Sequence, residues 1–289
     1  MSEEQSSPLN IEPNPEHPGS RNSQPPRPEQ PAGILDFDSV FESIPLPSRG
    51  LLYPPDHPFH MKDMIDIKCM TAEEENILYS PALMKKGTAL DMLMKKCIIG
   101  DVDPSTLLTA DRNAIIVAIR ITAYGADYRA SVSCPSCNES YENDFSMNGL
   151  GIKDIPEGSI TPGHNIFETT LPRTGFKVMF RLSTGDDERQ ILGGSKSAKK
   201  LGIRKNDMIT RRLFNQVVAI KTLRGETDNR SEIMRFIRKM PAVDSLHLRK
   251  AIDEVEPRVE LKQEVTCPFC DHVADMPIPL SVEFFWPSK

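Results

Sequence analysis

Cys134-Pro135-Ser136-Cys137 and Cys267-Pro268-Phe269-Cys270 are the two stretches on which the reading of this sequence turns. Each is a Cys-Pro-x-Cys turn between strand-like segments. Tyr128 to Ser133 and Ser140 to Phe145 flank the first, and Val259 to Thr266 delivers the second. Such a turn converges two thiolates on one ion while nearby backbone amides donate to the sulfurs, and the proline favours the bend. Two of them supply the four ligands of a tetrahedral site, for which zinc is the usual occupant. Asn138 and Asp271 stand where glycine often follows the second cysteine, and both residue types tolerate left-handed backbone. Cys134, Cys137, Cys267 and Cys270 would saturate the ion and leave no open position, which marks a structural rather than a catalytic Zn2+. The same residues also admit separate redox pairs, incidental core thiols or a divided site. A strand-turn-strand setting differs from the helix-start setting of redox pairs. His272 is a possible substitute ligand, and Cys69 and Cys97 read as small core hydrophobes.

Working outward, a chain of 289 residues has room for one large domain or two ordinary ones, so its core needs no metal merely to exist. Six cysteines in such a chain suit metal binding in a reducing compartment better than a disulfide framework. No apolar run is long enough to span a bilayer and no signal-peptide pattern opens the chain, so neither membrane insertion nor secretion is expected. The formal charge of −6 argues against a dedicated nucleic-acid binder. One stretch departs from that balance: residues 196–212 hold seven Lys or Arg and one acidic residue, Asp207. A zinc-ribbon nucleic-acid module using Lys199, Lys200, Arg204, Lys205, Arg211 and Arg212 is therefore the alternative function.

The fold class read from the sequence is α+β, with helical regions around a small β region clasped by a two-knuckle, zinc-ribbon-like four-cysteine site. Four spans follow. Residues 1–33 carry eight prolines among polar residues and read as a disordered arm. Residues 34–64 begin with the apolar cluster Ile34-Leu35-Asp36-Phe37 and continue as an extended, proline-bearing strap across the surface. Residues 65–127 read as mainly helical, with a capping box at Thr71 to Glu74, a buried face Leu90, Leu93, Met94 and Cys97, and Asp111 capping a longer helix that ends at Gly125. Residues 128–289 read as an α+β region holding the cysteine knuckles at 134–137 and 267–270. Within it a hairpin joins Ile166–Leu171 to Phe176–Leu182, helices cover 186–192, 207–223, 231–240 and 243–255, and Val282 to Trp286 is a terminal strand. Phe284-Phe285-Trp286 reads as facing the core, with an exposed anchor for a partner as the rarer use.

Catalytic patterns are missing. Gly193-Gly194-Ser195-Lys196-Ser197 lacks the Gly-Lys-Ser/Thr order of a phosphate loop and follows a helical segment, so it reads as a helix terminator. The sequence contains neither Gly-x-Ser-x-Gly nor His-Glu-x-x-His. Nothing in it supports an enzyme.

The sequence resembles the baseplate hub and hub-assembly proteins of T-even-type contractile-tailed bacteriophages. The resemblance lies in Ile44-Pro45-Leu46-Pro47-Ser48-Arg49-Gly50-Leu51-Leu52-Tyr53, in Met70 to Leu78, in the Gly87 to Cys97 helix and in the two Cys-Pro-x-Cys turns. It implies a non-enzymatic structural protein of the phage tail, either a hub component or a chaperone of virion assembly. Its partners would be other baseplate or hub proteins. Its place would be the host cytoplasm during assembly, with the virion tail baseplate as a further location.

Overall fold

The structure, a computed structural model, describes residues 7–8, 41–156, 158, 160–193, 207–278 and 282–285. Apart from Ser7 and Pro8, the arm lies outside these residues, as do the Ile34 to Phe37 cluster, residues 196–206 of the basic stretch with Gly194 and Ser195 before it, and Trp286. The fold is α+β. Its helices are α1 (Ala72–Leu78), α2 (Pro81–Lys86), α3 (Ala89–Cys97), α4 (Thr109–Tyr124), α5 (Gly185–Gly193), α6 (Met208–Gln216), α7 (Arg230–Lys239) and α8 (Ala242–Val255). The strands are short and form five small sheets among the described residues. In chain order they are β1 (Ser7–Pro8), β2 (Phe41–Pro45), β3 (Met64–Lys68), β4 (Asp127–Ser133), β5 (Ser140–Ser146), β6 (Gly151–Lys153), β7 (Phe167–Thr170), β8 (Lys177–Phe180), β9 (Val217–Thr222), β10 (Gly225–Thr227), β11 (Arg258–Val259), β12 (Lys262–Thr266) and β13 (Val273–Pro277).

Helix α4 sits at the centre. Its residues from Ala110 to Arg120, Asn113 excepted, are buried without a break, including Asp111, Arg112 and Arg120. A helix enclosed on all sides has no solvent face for its charges, so each must find a partner inside the protein. Asp111 does so with the Ser48–Tyr53 segment. Its Oδ1 accepts from the Ser48 amide at 2.9 Å, and its Oδ2 accepts from Ser48 Oγ at 2.6 Å and Tyr53 Oη at 2.7 Å. Tyr53 Oη in turn accepts from the Leu108 amide at 3.0 Å. Burial pushes the Asp111 carboxyl above its ordinary pKa, and the Ser48 and Tyr53 hydrogen bonds pull it part of the way back.

These contacts correct two expectations. The helix begins at Thr109 with Leu108 before it, so Asp111 lies inside the first turn rather than capping it. Residues 46–62 are not an extended surface strap either. They fold as consecutive turns that bury Leu46, Ser48, Leu52, Tyr53 and Phe59. Gly50 makes this winding possible, because its φ is +67° and a Cβ there would stand 2.3 Å from the Phe59 carbonyl oxygen and 2.4 Å from the Lys62 amide. Strands β2 and β3 pair antiparallel on either side of these turns, with Phe41 opposite Lys68.

The two buried cations of α4 reach different regions. Arg112 contacts Asp91 of α3 at 2.7 Å, Glu188 of α5 at 3.5 Å and the Pro104 carbonyl. Gly185, at the start of α5, leaves room for its guanidinium, since a Cβ there would fall 2.5 Å from Arg112 Nη1. Arg120 donates to the carbonyls of Phe284, Gly125 and Asp127.

Three further expectations are overturned. The helix expected over 207–223 stops at Gln216, and Val217–Thr222 is strand β9, laid between β8 and β10. The β-branched run Val217-Val218 and Ile220 fits a ladder as well as it fits a helical stripe, and pairing with Lys177–Phe180 decides between them. The strand expected over 259–266 is two strands in different sheets, β11 beside β6 and β12 beside β13. Val282–Phe285 is a 3₁₀ turn rather than a strand, with Phe284 and Phe285 buried and Phe284 edge-on to Tyr128 at 5.1 Å. The remaining helices and the β7–β8 hairpin lie where the periodicity put them, and the Thr71 capping box forms. One hydrophobic cluster runs from Ile44 to Phe285.

Two outcomes are expected. Tyr53→Phe strands the buried Leu108 amide, at about 1–3 kcal/mol for an unsatisfied group, and takes from Asp111 Oδ2 one of its two hydrogen bonds, leaving the one from Ser48 Oγ. It should lower the urea midpoint by the equivalent of about 1–3 kcal/mol with the slope unchanged, and a loss below about 0.5 kcal/mol would contradict the role given to the Tyr53–Asp111 contact. Acid should weaken the α1 start. Although burial opposes ionisation of Glu74, hydrogen bonds from Lys68 and Thr71 hold its carboxyl down at about 2. A carboxyl depressed on folding stabilises above its unfolded pKa and loses that contribution as pH falls toward the folded value. Between about pH 4.5 and 2, Lys68→Met should therefore flatten the decline in melting temperature seen for the parent chain.

Candidate metal centre

The two cysteine hairpins are brought together by the small sheet between them. Strand β6 follows the first hairpin (β4–β5) and pairs antiparallel with β11, which precedes the second (β12–β13); Ile152 faces Val259. The Gln263 side-chain amide then bridges the hairpins directly. Its oxygen accepts from the Ser146 amide at 3.2 Å and its NH2 donates to the Ser146 carbonyl, as a strand backbone would.

Each knuckle is the same turn made twice. The first cysteine amide donates to the carbonyl five residues on (Cys134 to Glu139, Cys267 to His272), both at 2.9 Å. Its carbonyl accepts from the amide four residues on, Asn138 at 2.9 Å and Asp271 at 3.0 Å. Asn138 and Asp271 carry φ of 60° and 55°, the left-handed backbone anticipated for them.

The four sulfurs converge although the two knuckles that carry them lie 130 or more positions apart. Cys134 Sγ is 3.8 Å from Cys270 Sγ, Cys137 Sγ is 3.7 Å from Cys267 Sγ, and all four lie within 4.8 Å of one another. Zinc–sulfur bonds of about 2.3 Å at the tetrahedral angle put ligand sulfurs about 3.8 Å apart, so the two cross-hairpin distances match the edge of such a site. They are far too long for disulfides, whose sulfurs sit about 2.05 Å apart, and all four cysteines are free. Cys134 and Cys267 are buried, Cys137 is half-buried and Cys270 is exposed.

The electrostatics of the cluster call for a cation. Hydrogen bonds from the backbone amides of Cys137 and Ser136 draw the Cys134 thiol down to about 6. The Glu139 amide acts the same way on Cys137, yet burial and the neighbouring sulfurs push that thiol up to about 12. Thiolates this close repel one another, so all four ionise together only around a positive ion. The donor set and spacing fit zinc, and among the described residues no fifth His, Cys, Asp or Glu joins the cluster.

His272 contributes its backbone carbonyl to the Cys267 amide, and its side chain is not in the four-residue cluster. Cys97 is buried and Cys69 half-buried, both outside that cluster. Of the six basic residues proposed for nucleic acid, Lys199, Lys200, Arg204 and Lys205 lie outside the described residues. Arg211 is buried and donates to the Gln190 carbonyl, while Arg212 is exposed. Sequence reasoning missed Gln263 and the edge contact of Tyr141 with Phe269, at 6.3 Å between centroids, because neither residue type signals a link between hairpins.

Among the described residues no helix is long and apolar enough to cross a membrane. Searches of the curated proteins and of the solved structures gave no match. A family model described as "T4 bacteriophage base plate protein" matches residues 57–286, which include both knuckles and most of the chain. The match begins after the Ile44 to Tyr53 stretch, so it does not rest on those residues. With its helices, small sheets and paired cysteine turns inside the matched span, the chain belongs to the T4 bacteriophage base plate protein family.

Proposed function

We infer that this protein is a non-enzymatic component of the phage baseplate hub, or a chaperone used while the hub assembles, and that a structural Zn2+ on Cys134, Cys137, Cys267 and Cys270 fastens its fold. The family match over residues 57–286 carries the baseplate part of this reading. The sulfur spacing of 3.7–3.8 Å carries the zinc part.

When bound, the ion neutralises the four thiolates and cross-links the hairpins. The protein supplies the rest: left-handed Asn138 and Asp271 close the turns, backbone amides donate to sulfur, and the Gln263 amide fixes one hairpin against the other. Four protein ligands leave no position for substrate or water, so the site holds structure and the work of the protein falls to its surfaces. The nucleic-acid alternative loses support from Arg211, whose guanidinium is committed inside the fold.

Cys267→Ser removes a buried ligand. The purified variant should lose stoichiometric zinc and gain amide exchange across β4–β5 and β12–β13, since metal binding and local folding are coupled. Retention of both the metal and the exchange protection would rule out the shared site. For the baseplate reading, co-expression with the other hub proteins should yield a complex that survives gel filtration. A chain that elutes alone with every hub protein would defeat it.

A further inference from the structure

A groove of about 560 Å³ opens between α3, α4, α5, α6 and the 3₁₀ turn. Ile116, Leu213 and Phe285 form part of its floor. At its lip Met208 and Ile209 are 52% and 54% exposed, unusual for large apolar side chains on one helix turn. Two cations line it as well, Arg212 and Arg249, both exposed. Arg112 also reaches the groove, but its charge is met inside by Asp91 and Glu188. Among the described residues neither Arg212 nor Arg249 has a carboxylate within ion-pairing distance, although Glu188 and Glu256 lie in the field of Arg212. The apolar surface continues along α8, where Val243 and Leu246 are exposed at three-residue spacing on the row that leads to Arg249.

An apolar trough edged by two guanidinium groups that form no ion pair among the described residues, in a chain of net charge −6, is locally inverted in sign. Two arginines over an apolar floor are too few for a nucleic-acid backbone. They suit a peptide whose apolar side chains fill the trough while carboxylates pair with the guanidinium forks. We propose that this groove is the docking site for an apolar segment flanked by Asp or Glu, presented by another protein of the baseplate. The inference rests on the reading that the chain works through baseplate partners.

The test places a photo-crosslinking p-benzoylphenylalanine at Ile209 of the full-length protein in infected cells. A second, control position is Leu223, the fully exposed tip of the β9–β10 hairpin. Mass spectrometry should find at Ile209, and not at Leu223, an adduct to one peptide of a second baseplate protein carrying apolar residues between carboxylates. Arg212→Glu with Arg249→Glu, both at exposed positions, should cut the adduct at least tenfold while the chain keeps its folded circular dichroism spectrum. Replacing the partner's carboxylates by Lys should restore it. An adduct to this chain itself, to nucleic acid or to a peptide without carboxylates overturns the proposal, as does a yield no higher than the Leu223 control. If the protein still co-purifies with baseplate partners while Ile209 gives no adduct, the groove proposal alone fails; if no partner co-purifies at all, the baseplate reading fails with it.

Discussion

Enclosure of α4 is the constraint on which the larger part of this structure depends. A helix buried on every side while carrying Asp111, Arg112 and Arg120 is tenable only if other segments deliver matching groups. The Ser48–Tyr53 turns answer the carboxylate, α3 and α5 answer Arg112, and the carbonyls of Gly125, Asp127 and Phe284 answer Arg120. Each partner comes from a different part of the chain, so one helix fixes the N-terminal turns, the middle helices and the C-terminal 3₁₀ turn together. Removing one member of such a set costs more than its hydrogen bond, because the other stays buried and unpaired.

The cysteine hairpins lie beyond that reach and solve a different problem. Two-stranded ribbons bury little and are marginal alone. Along β12 only Val265 is fully buried, and along β13 no residue is. Sheet pairing of β6 with β11 and the Gln263 amide bring the ribbons side by side, and the proposed zinc closes them at their tips. Because Arg120 also binds the Asp127 carbonyl at the start of β4, the central helix holds the first ribbon at the end opposite its cysteine knuckle.

What could be read from the sequence was what is local. Cys-x-x-Cys spacing, the Thr71 to Glu74 capping box and the helical rows of α3, α7 and α8 are set by near neighbours, and the structure has them at those positions. Pairings made across the chain were not readable. Asp111 stands where a helix cap is expected, and its true partners are 58 and 63 residues away. Val217 and Ile220 satisfy a helical stripe and a strand equally, and the choice depends on β8, about 40 residues earlier. Phe284 and Phe285 signalled burial but not the 3₁₀ geometry that the Arg120 bond to the Phe284 carbonyl accompanies. The groove arises only once α4, α6 and the terminal turn are packed, and no motif marks it.

Four sulfurs from two distant turns are proposed to hold one zinc ion. X-ray absorption at the zinc edge of the purified full-length protein tests it most directly. The expected spectrum has four sulfur scatterers at about 2.3 Å and no nitrogen or oxygen in the coordination sphere. A sphere containing nitrogen or oxygen, or a protein without bound zinc, would contradict it.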